Sequence, residues 1–182
     1  MKSADIEKQP GYTAGSLLMF GAIAAIAIAW GFELLGGYAP CPLCLVQRYA
    51  YYAAIPMAFA GLIALSADWR LIAGLLFLFA GLAFIANTGL GVYHAGVEWG
   101  WWPGPDTCSG GAQPLDLTGG TNLLDALKSN SVVSCTEATF RLFGLSFAGW
   151  NAVISAALAA CGLAAANAML DIAHDTTGAP VA

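Results

Sequence analysis

Four long apolar stretches constrain the fold of this chain more than any other feature. They cover about residues 14–32, 49–66, 71–92 and 142–170. A helix that crosses a bilayer needs roughly 20 mostly apolar residues, and these stretches meet that requirement. Their apolar residues run continuously, without the alternation of a membrane barrel strand. The sequence therefore predicts an all-α membrane protein, a four-transmembrane-helix bundle forming a single membrane domain over residues 1–182.

The composition excludes other classes of protein. Charged residues make up only 9% of the chain and hydrophobic residues 59%, whereas ordinary soluble domains carry roughly 25% charged residues. So little polar surface cannot cover a globule in water. The chain also holds only six Lys and Arg residues and has a net charge of −5. Because a nucleic-acid-binding surface requires clustered basic side chains, we expect the lipid bilayer, and no nucleic acid, as a partner.

The four spans divide the connecting segments between two sides of the membrane. The loops at residues 36–45 and 93–141 lie on one side, opposite both termini and the turn at residues 67–70. The first span exceeds the roughly 7–15 apolar residues of a secretory signal, so we expect it to be retained. Residues 121–128 of the longer loop predict a short capped amphipathic helix. Basic residues are split almost evenly between the sides and do not fix the orientation.

Four of the five cysteines fall in the two loops on the same side. Cys41 and Cys44 form a Cys-Pro-Leu-Cys motif immediately before the second span, and Cys108 and Cys135 lie in the longer loop. Cys161 lies within the fourth span, where a small buried hydrophobic role is expected. A C-x-x-C motif has three interpretations: a zinc site, a structural disulfide or a redox-active dithiol.

The position of the motif favours the redox-active dithiol. At a helix N-terminus, the helix dipole and free N–H groups lower the pKa of a thiol. The resulting thiolate is the species that attacks a disulfide or donates an electron pair. On this geometry Cys44, which is nearer the helix and the membrane, is the expected thiolate and faces an oxidant in the lipid. Cys41 is expected to face water and to exchange with partners.

Arg48 lies four residues after Cys44, on the same helical face and one turn deeper. A cation at membrane depth is costly and indicates function. Arg48 is therefore expected to stabilise a Cys44 thiolate and to polarise a carbonyl of a lipid-soluble acceptor; the alternative is that it snorkels to the interface. The other polar side chains near this rim are Gln47, Glu33, His94 and Glu98.

Three segments resemble the DsbB family of disulfide-bond-forming membrane proteins. Residues 40–48, Pro-Cys-Pro-Leu-Cys-Leu-Val-Gln-Arg, resemble its C-x-x-C-x-x-Q-R signature. Residues 93–108 resemble the exit of its third helix into the long loop, and residues 135–151 the entry to its fourth helix. The resemblance extends over about residues 32–151 and includes the four-span layout.

The resemblance implies a quinone-dependent protein-disulfide oxidoreductase with Cys41, Cys44, Cys108 and Cys135 as catalytic residues. A DsbA-like periplasmic protein of thioredoxin fold would be reoxidised through a Cys108–Cys135 disulfide. The loop thiols would then reduce a Cys41–Cys44 disulfide. The electrons would pass from Cys44 to ubiquinone or menaquinone.

The resemblance also implies a location and a quinone site. The expected location is the bacterial inner membrane, with cytoplasmic termini and periplasmic cysteine loops. The residues expected to bind quinone are Arg48, Cys44, Gln47 and His94.

Two other functions stay open. A thiol–quinone oxidoreductase resembling vitamin K epoxide reductase would share the four-helix core, but its loop cysteine pair precedes its C-x-x-C motif. In this chain the C-x-x-C motif comes first. A non-enzymatic protein with four spans would use the loop disulfides only as structural staples.

Overall fold

The structure, a computed structural model, describes residues 10–105, 135–136 and 140–178. The helices are α1 (Pro10–Leu34), α2 (Pro42–Ser66), α3 (Arg70–Glu98) and α4 (Phe147–Gly178), and the strands are β1 (Arg141–Leu142) and β2 (Leu145–Ser146). Each of the four helices contains a segment long and apolar enough to cross a membrane. The predicted all-α fold with four membrane-spanning helices is therefore confirmed. Cys108 and the amphipathic helix predicted at residues 121–128 lie outside the described residues.

Helix α2 begins at Pro42, seven residues before the predicted start of the second span. Proline suits the first position of a helix because its missing N–H would have no partner there. The Sγ atom of Cys41 caps the helix by accepting a hydrogen bond from the backbone N–H of Cys44. Cys44 consequently lies in the first turn of the helix, and only residues 35–41 connect α1 to α2.

Helix α3 ends at Glu98, six residues beyond the predicted end of the third span. Gly100 follows with a positive φ of 72°, and the N–H of Trp101 donates to the carbonyl of Gly96 at 2.9 Å. This is the pattern of a Schellman C-cap, which reverses the chain with glycine in the left-handed region. The indole of Trp102 packs directly over Gly96, so the chain beyond α3 folds back across the end of the helix.

Helix α4 begins at Phe147 rather than near residue 142. The preceding residues form a two-stranded antiparallel hairpin, in which Arg141 pairs with Ser146. Phe143 and Gly144 turn the hairpin with φ values of 51° and 82°. The hairpin delivers the chain to the same end of the bundle as the start of α2 and the end of α3.

Small residues bring α3 and α4 into close contact along their length. A Cβ atom at Gly162 would lie 2.9 Å from the Cα atom of Gly81, and one at Gly91 would lie 3.0 Å from Ala152. Two fully buried aromatic side chains, Phe77 and Phe84, fill the centre of the bundle. Since lipid supplies no hydrophobic drive between helices, this close packing is the expected source of association.

Candidate functional site

The candidate site is a cavity of about 310 Å³ at the end of the bundle where α2 begins and α3 ends. Side chains from all four helices and from the hairpin line it. Cys41, Cys44 and Cys135 lie at this cavity together with His94. The structure therefore brings the C-x-x-C motif and a cysteine of the long loop to one place.

The Sγ atoms of Cys41 and Cys44 are 2.8 Å apart, and both cysteines are free thiols. Cys41 is only 4% exposed and packs against Leu43 and Cys135. The prediction that Cys41 faces water is therefore wrong. It fails because α2 starts directly after Cys41, which turns the capping side chain inward.

The contacts that stabilise a thiolate converge on Cys41. The pKa of Cys41 is lowered to about 4, and the hydrogen bond to the Cys44 side chain is the largest cause. The ring of His94 and the backbone N–H of Cys44 also contribute to this lowering, against the opposing effect of burial. The sequence predicts the thiolate at Cys44. In the structure Cys41 occupies the N-cap position of α2, so the helix N-terminus lowers the pKa of Cys41 instead.

Cys135 is disulfide-bonded and 1% exposed. Its Sγ atom, the Sγ atom of Cys41 and a ring nitrogen of His94 all lie within 4.8 Å of one another. That spacing would suit a metal ion, but a sulfur held in a disulfide is not a thiolate ligand. The arrangement instead sets a free thiol beside a disulfide.

Cys161 is the third free cysteine among the described residues. It lies in α4 and packs against the main hydrophobic core of the bundle. This position agrees with the small hydrophobic role expected from the sequence.

His94 is buried between three polar side chains. Its Nδ1 atom lies 3.1 Å from Nε2 of Gln47, and its Nε2 atom lies 3.5 Å from Sγ of Cys41. The carboxylate of Glu98 lies 3.9 Å from the same Nε2 atom. The ring thus connects Gln47 to the sulfur of Cys41.

Gln47 is only 4% exposed although it lines the cavity. Its Oε1 atom accepts a hydrogen bond from Nδ2 of Asn151 at 2.8 Å. Both ends of the Gln47 amide are therefore engaged by other side chains of the protein. Tyr51 donates to Oδ1 of Asn151 at 2.7 Å, which extends the polar network into the membrane-spanning part of the bundle.

The sequence reasoning did not identify Asn151 or Tyr51 as residues of the site, nor Asn87 and Ser155, which bond to each other at 2.9 Å. A signal for Asn87, Asn151 and Ser155 was available in the sequence. A polar side chain within an apolar span is costly to bury and indicates function. Tyr51 carried no such signal, since tyrosine is common at membrane interfaces.

Arg48 lines the same cavity as Cys44. Its Nη1 atom forms an ion pair with Oε2 of Glu33 at 2.6 Å, and its side chain is 14% exposed. The guanidinium is therefore largely buried against α1, and Glu33 is the counter-charge that the sequence reasoning left without a role. The pair joins α1 to α2 at the wall of the cavity.

Glu98 has a buried carboxylate that lines the cavity. Its Oε2 atom has no hydrogen-bond partner among the described residues. An ionisable group in this position is a candidate for proton exchange with the neighbouring His94.

Four aromatic rings form one wall of the cavity. Phe32 and Phe147 meet edge to face with their ring centroids 5.0 Å apart, and Tyr38 and Phe140 lie 6.0 Å apart. The wall joins α1, the loop after it and the entry to α4. A cavity lined by aromatic rings and a pair of thiols suits a flat, lipid-soluble molecule.

Comparison with known proteins agrees with the layout of the fold. The profile of the family described as disulfide bond formation protein DsbB matches residues 12–165. An uncharacterized protein of Rickettsia prowazekii (strain Madrid E) is 24% identical over 136 residues, which cover 75% of this chain and 76% of that protein. No solved structure matches the chain at a significant level. The chain belongs to the DsbB family and is a multi-pass membrane protein of disulfide bond formation.

Proposed function

We propose that this protein reoxidises a periplasmic DsbA-like protein of thioredoxin fold and passes the electrons to membrane quinone. The catalytic residues in this proposal are Cys41, Cys44, Cys108 and Cys135. The location proposed is the bacterial inner membrane, with the cysteine loops in the periplasm and the termini in the cytoplasm. Disulfides persist in that oxidising compartment, which supports this orientation.

The observation that carries the proposal is the position of Cys41 between two possible partners. Its Sγ atom lies 2.8 Å from that of Cys44 and within 4.8 Å of that of Cys135. A sulfur in this position can form a disulfide bond with either Cys44 or Cys135 with little movement. Cys41 therefore links the two redox pairs.

The proposed exchange conserves electrons at each step. The partner of Cys135 is proposed to be Cys108, because it is the one remaining cysteine of the sequence after the three free thiols. A reduced partner dithiol attacks this disulfide and leaves as a disulfide, which converts Cys108 and Cys135 to thiols. Cys135 then attacks a Cys41–Cys44 disulfide at Cys41 and releases Cys44 as a thiol. Attack of Cys108 on the mixed disulfide restores Cys108–Cys135 and leaves Cys41 reduced.

The stabilised thiolate at Cys41 assists this transfer. A lower pKa makes a thiol a better leaving group in disulfide exchange. Cys41 leaves from Cys135 in the last step, and the lowered pKa favours that departure.

The cavity beside Cys44 fits a quinone in its lining and its volume. The aromatic wall supplies an apolar surface for a ring, and the buried Arg48 supplies a positive charge for a carbonyl oxygen. A quinone bound there would supply an acceptor for the two electrons that Cys41 and Cys44 lose on forming their disulfide. Because Cys41 is already a thiolate, one proton would come from the Cys44 thiol and the second from solvent. Cys44 and Arg48 are the residues proposed to contact it.

We infer that Gln47 and His94 act on Cys41 rather than contact the quinone. The amide of Gln47 is engaged by Asn151 and His94, and the His94 ring faces Cys41. Their proposed role is to support the thiolate of Cys41.

A purely structural role for the cysteines has less support. Staples would require the C-x-x-C pair to be a stable disulfide, whereas Cys41 and Cys44 are free thiols. The lowered pKa of Cys41 is a feature of reactive cysteines and has no purpose in a staple.

Quinone reduction by the purified protein in detergent tests the proposal. The assay supplies a reduced DsbA-type protein with ubiquinone or menaquinone and compares wild type with Cys44→Ser. Cys161→Ser is the matched control, because it removes a thiol in the core of the bundle. We expect turnover in the wild type and in Cys161→Ser and none in Cys44→Ser. Absence of turnover in the wild type with either quinone, or retained turnover in Cys44→Ser, would overturn the proposal.

A further inference from the structure

A chain of hydrogen bonds runs from the membrane-spanning part of the bundle to the sulfur of Cys41. The Tyr51 hydroxyl donates to Asn151 at 2.7 Å, and the Asn151 amide donates to Gln47 at 2.8 Å. The Gln47 amide lies 3.1 Å from Nδ1 of His94. The opposite ring nitrogen, Nε2, lies 3.5 Å from Sγ of Cys41. Three helices, α2, α3 and α4, contribute to this chain.

The amide groups determine which atom donates and which accepts at each step of this hydrogen-bond network. Since Asn151 donates to the Oε1 atom of Gln47, the NH2 group of Gln47 faces His94. An amide NH2 group only donates, so Nδ1 of His94 accepts and Nε2 carries the hydrogen of the neutral ring. The hydrogen on Nε2 is then directed toward Cys41.

The direction at Asn151 is fixed by its other neighbours. Its Oδ1 atom faces the Tyr51 hydroxyl at 2.7 Å and the NH2 group of Asn87 at 3.5 Å. If the Asn151 amide were rotated by half a turn, its NH2 group would face the NH2 group of Asn87, and two donors would be in contact. Asn87 is held in turn by the hydroxyl of Ser155 at 2.9 Å.

We propose that Gln47 and Asn151 are positioning residues that hold the His94 ring with its Nε2–H directed at the sulfur of Cys41. The proposal rests on the exchange function proposed above for Cys41. Neither amide touches a reacting sulfur, and both act through the ring. With the Nε2–H in place, His94 donates to the Cys41 thiolate whenever that thiolate leaves a disulfide. In the other tautomer a nitrogen lone pair would face the thiolate and repel it.

The burial of these hydrogen-bonded side chains indicates that they have a function besides packing. His94 and Gln47 are 1% and 4% exposed, and they lie within helices that have the composition of membrane spans. Buried polar groups cost free energy unless each is hydrogen-bonded, and apolar side chains would fill the same space without that cost. The arrangement satisfies both ends of the Gln47 amide and both nitrogens of the ring.

Other ionisable groups surround Cys41 and enter any measurement of its titration. Cys44 lies on its own helix, and Glu98 lies on α3, 3.9 Å from Nε2 of His94. The Cys135 disulfide covers Cys41 from the long loop. The ion pair of Arg48 with Glu33 lies along the wall of the same cavity.

The pH dependence of alkylation at Cys41 tests the proposal directly. The full chain in detergent, with the C-x-x-C pair reduced, is treated with iodoacetamide from pH 4 to pH 9, and Cys41 is quantified by mass spectrometry of its peptide. Gln47→Leu removes the donor to His94, and Asn151→Leu removes the group that orients Gln47. Thr88→Val is the matched control, because it deletes a side-chain hydrogen bond to Phe84 on the same helix as His94.

We expect Gln47→Leu to slow alkylation of Cys41 about twofold at pH 5 and about fivefold at pH 4, the changes that follow when a pKa of about 4 rises by one unit. Asn151→Leu changes the rate in the same direction, and Thr88→Val leaves it unchanged. An unchanged pH profile in Gln47→Leu, or an equal shift of the profile in Thr88→Val, would overturn the positioning role.

The alkylation profile is independent of turnover. If the wild type shows no quinone reduction but Gln47→Leu shifts the profile, the proposed function fails and the positioning role stands. If turnover is present and the profile of Gln47→Leu equals that of the wild type, the positioning role fails alone.

Discussion

Cys41 caps helix α2 with its own side chain, since its Sγ atom accepts a hydrogen bond from the backbone N–H of Cys44 at 3.3 Å. The helix N-terminus therefore acts on the first cysteine of the C-x-x-C motif. The hydrogen bond to the Cys44 side chain is the largest cause of the lowered pKa of Cys41, about 4, and the His94 ring and this backbone contact add to the lowering. A cysteine in this environment stays ionised throughout the neutral range.

The first prediction concerns the reduction potential of the Cys41–Cys44 pair. Reduction of a disulfide to one thiolate and one thiol takes up two electrons and one proton, so the potential should fall by about 30 mV per pH unit. Because the pKa of Cys41 is lowered, the reduced form of the pair is more stable than that of a pair whose thiols have the ordinary pKa of 9. This difference in stability grows as the pH rises from about 4 to 9. Redox titration between pH 5 and pH 8 measures this slope. A slope of roughly 60 mV per unit, the value for two protons, would contradict the assignment of a thiolate to Cys41.

The second prediction concerns Arg48, whose charge is largely buried and paired with Glu33 at 2.6 Å. Arg48→Ala should raise the apparent KM for quinone about tenfold, a loss of roughly 1.4 kcal/mol of binding. The rate of exchange with the reduced protein partner should change much less, because that step involves the long loop. Steady-state kinetics with each substrate varied in turn separates the two effects.

Arg70→Ala is the matched control for Arg48→Ala. Arg70 also forms an ion pair, with Asp68 at 2.8 Å, but at the opposite end of the bundle. Its replacement should leave both kinetic constants unchanged. Equal effects of Arg48→Ala on quinone and on partner exchange would refute its role at the acceptor.

The third prediction tests the packing of α3 against α4. A Cβ atom at Gly162 would lie 2.9 Å from Cα of Gly81, and its neighbours there are backbone atoms, which cannot turn aside. Gly162→Ala should therefore destabilise the folded protein by about 1–3 kcal/mol, the usual cost of overpacking. Thermal unfolding in detergent measures the effect as a lower Tm.

Gly89→Ala provides the matched control on α3. A Cβ atom there meets nothing within 4 Å, and alanine favours a helix over glycine by roughly 1 kcal/mol. The Tm of Gly89→Ala should therefore equal or exceed that of the wild type. A lower Tm for Gly89→Ala than for Gly162→Ala would contradict the close approach of the two helices.

Much of the fold follows from hydropathy alone. Four runs of apolar residues are long enough to span a bilayer. Three lie entirely within a helix of the structure, and the fourth lies within α4 except for its first five residues, 142–146, which belong to the hairpin. The start of α2 was not predictable from the same signal, because polar residues such as Gln47 and Arg48 interrupt it. Cysteine is also absent from the usual set of N-cap residues, so the capping role of Cys41 could not be predicted from its residue type.

The contacts within the site depend on residues distant in the sequence. Gln47 and Asn151 are separated by 104 positions, and local patterns carry no information about such a pair. Arg48 was recognisable as a cation at membrane depth, but its partner Glu33 lies on another helix. The sequence therefore identified polar residues near the rim, while their pairing depended on how the four helices pack.

The central claim, that Cys41 links the two redox pairs, is tested most directly by mapping the disulfides of Cys44→Ser. Without Cys44, the Cys41 thiolate can attack the loop disulfide at Cys135, whose sulfur lies within 4.8 Å. That exchange forms a Cys41–Cys135 disulfide and releases the Cys108 thiol. Mass spectrometry of peptides from the alkylated, unreduced protein should therefore find Cys41 joined to Cys135. A disulfide between Cys41 and Cys108, or a Cys41 thiol that stays free in this variant, would contradict the account.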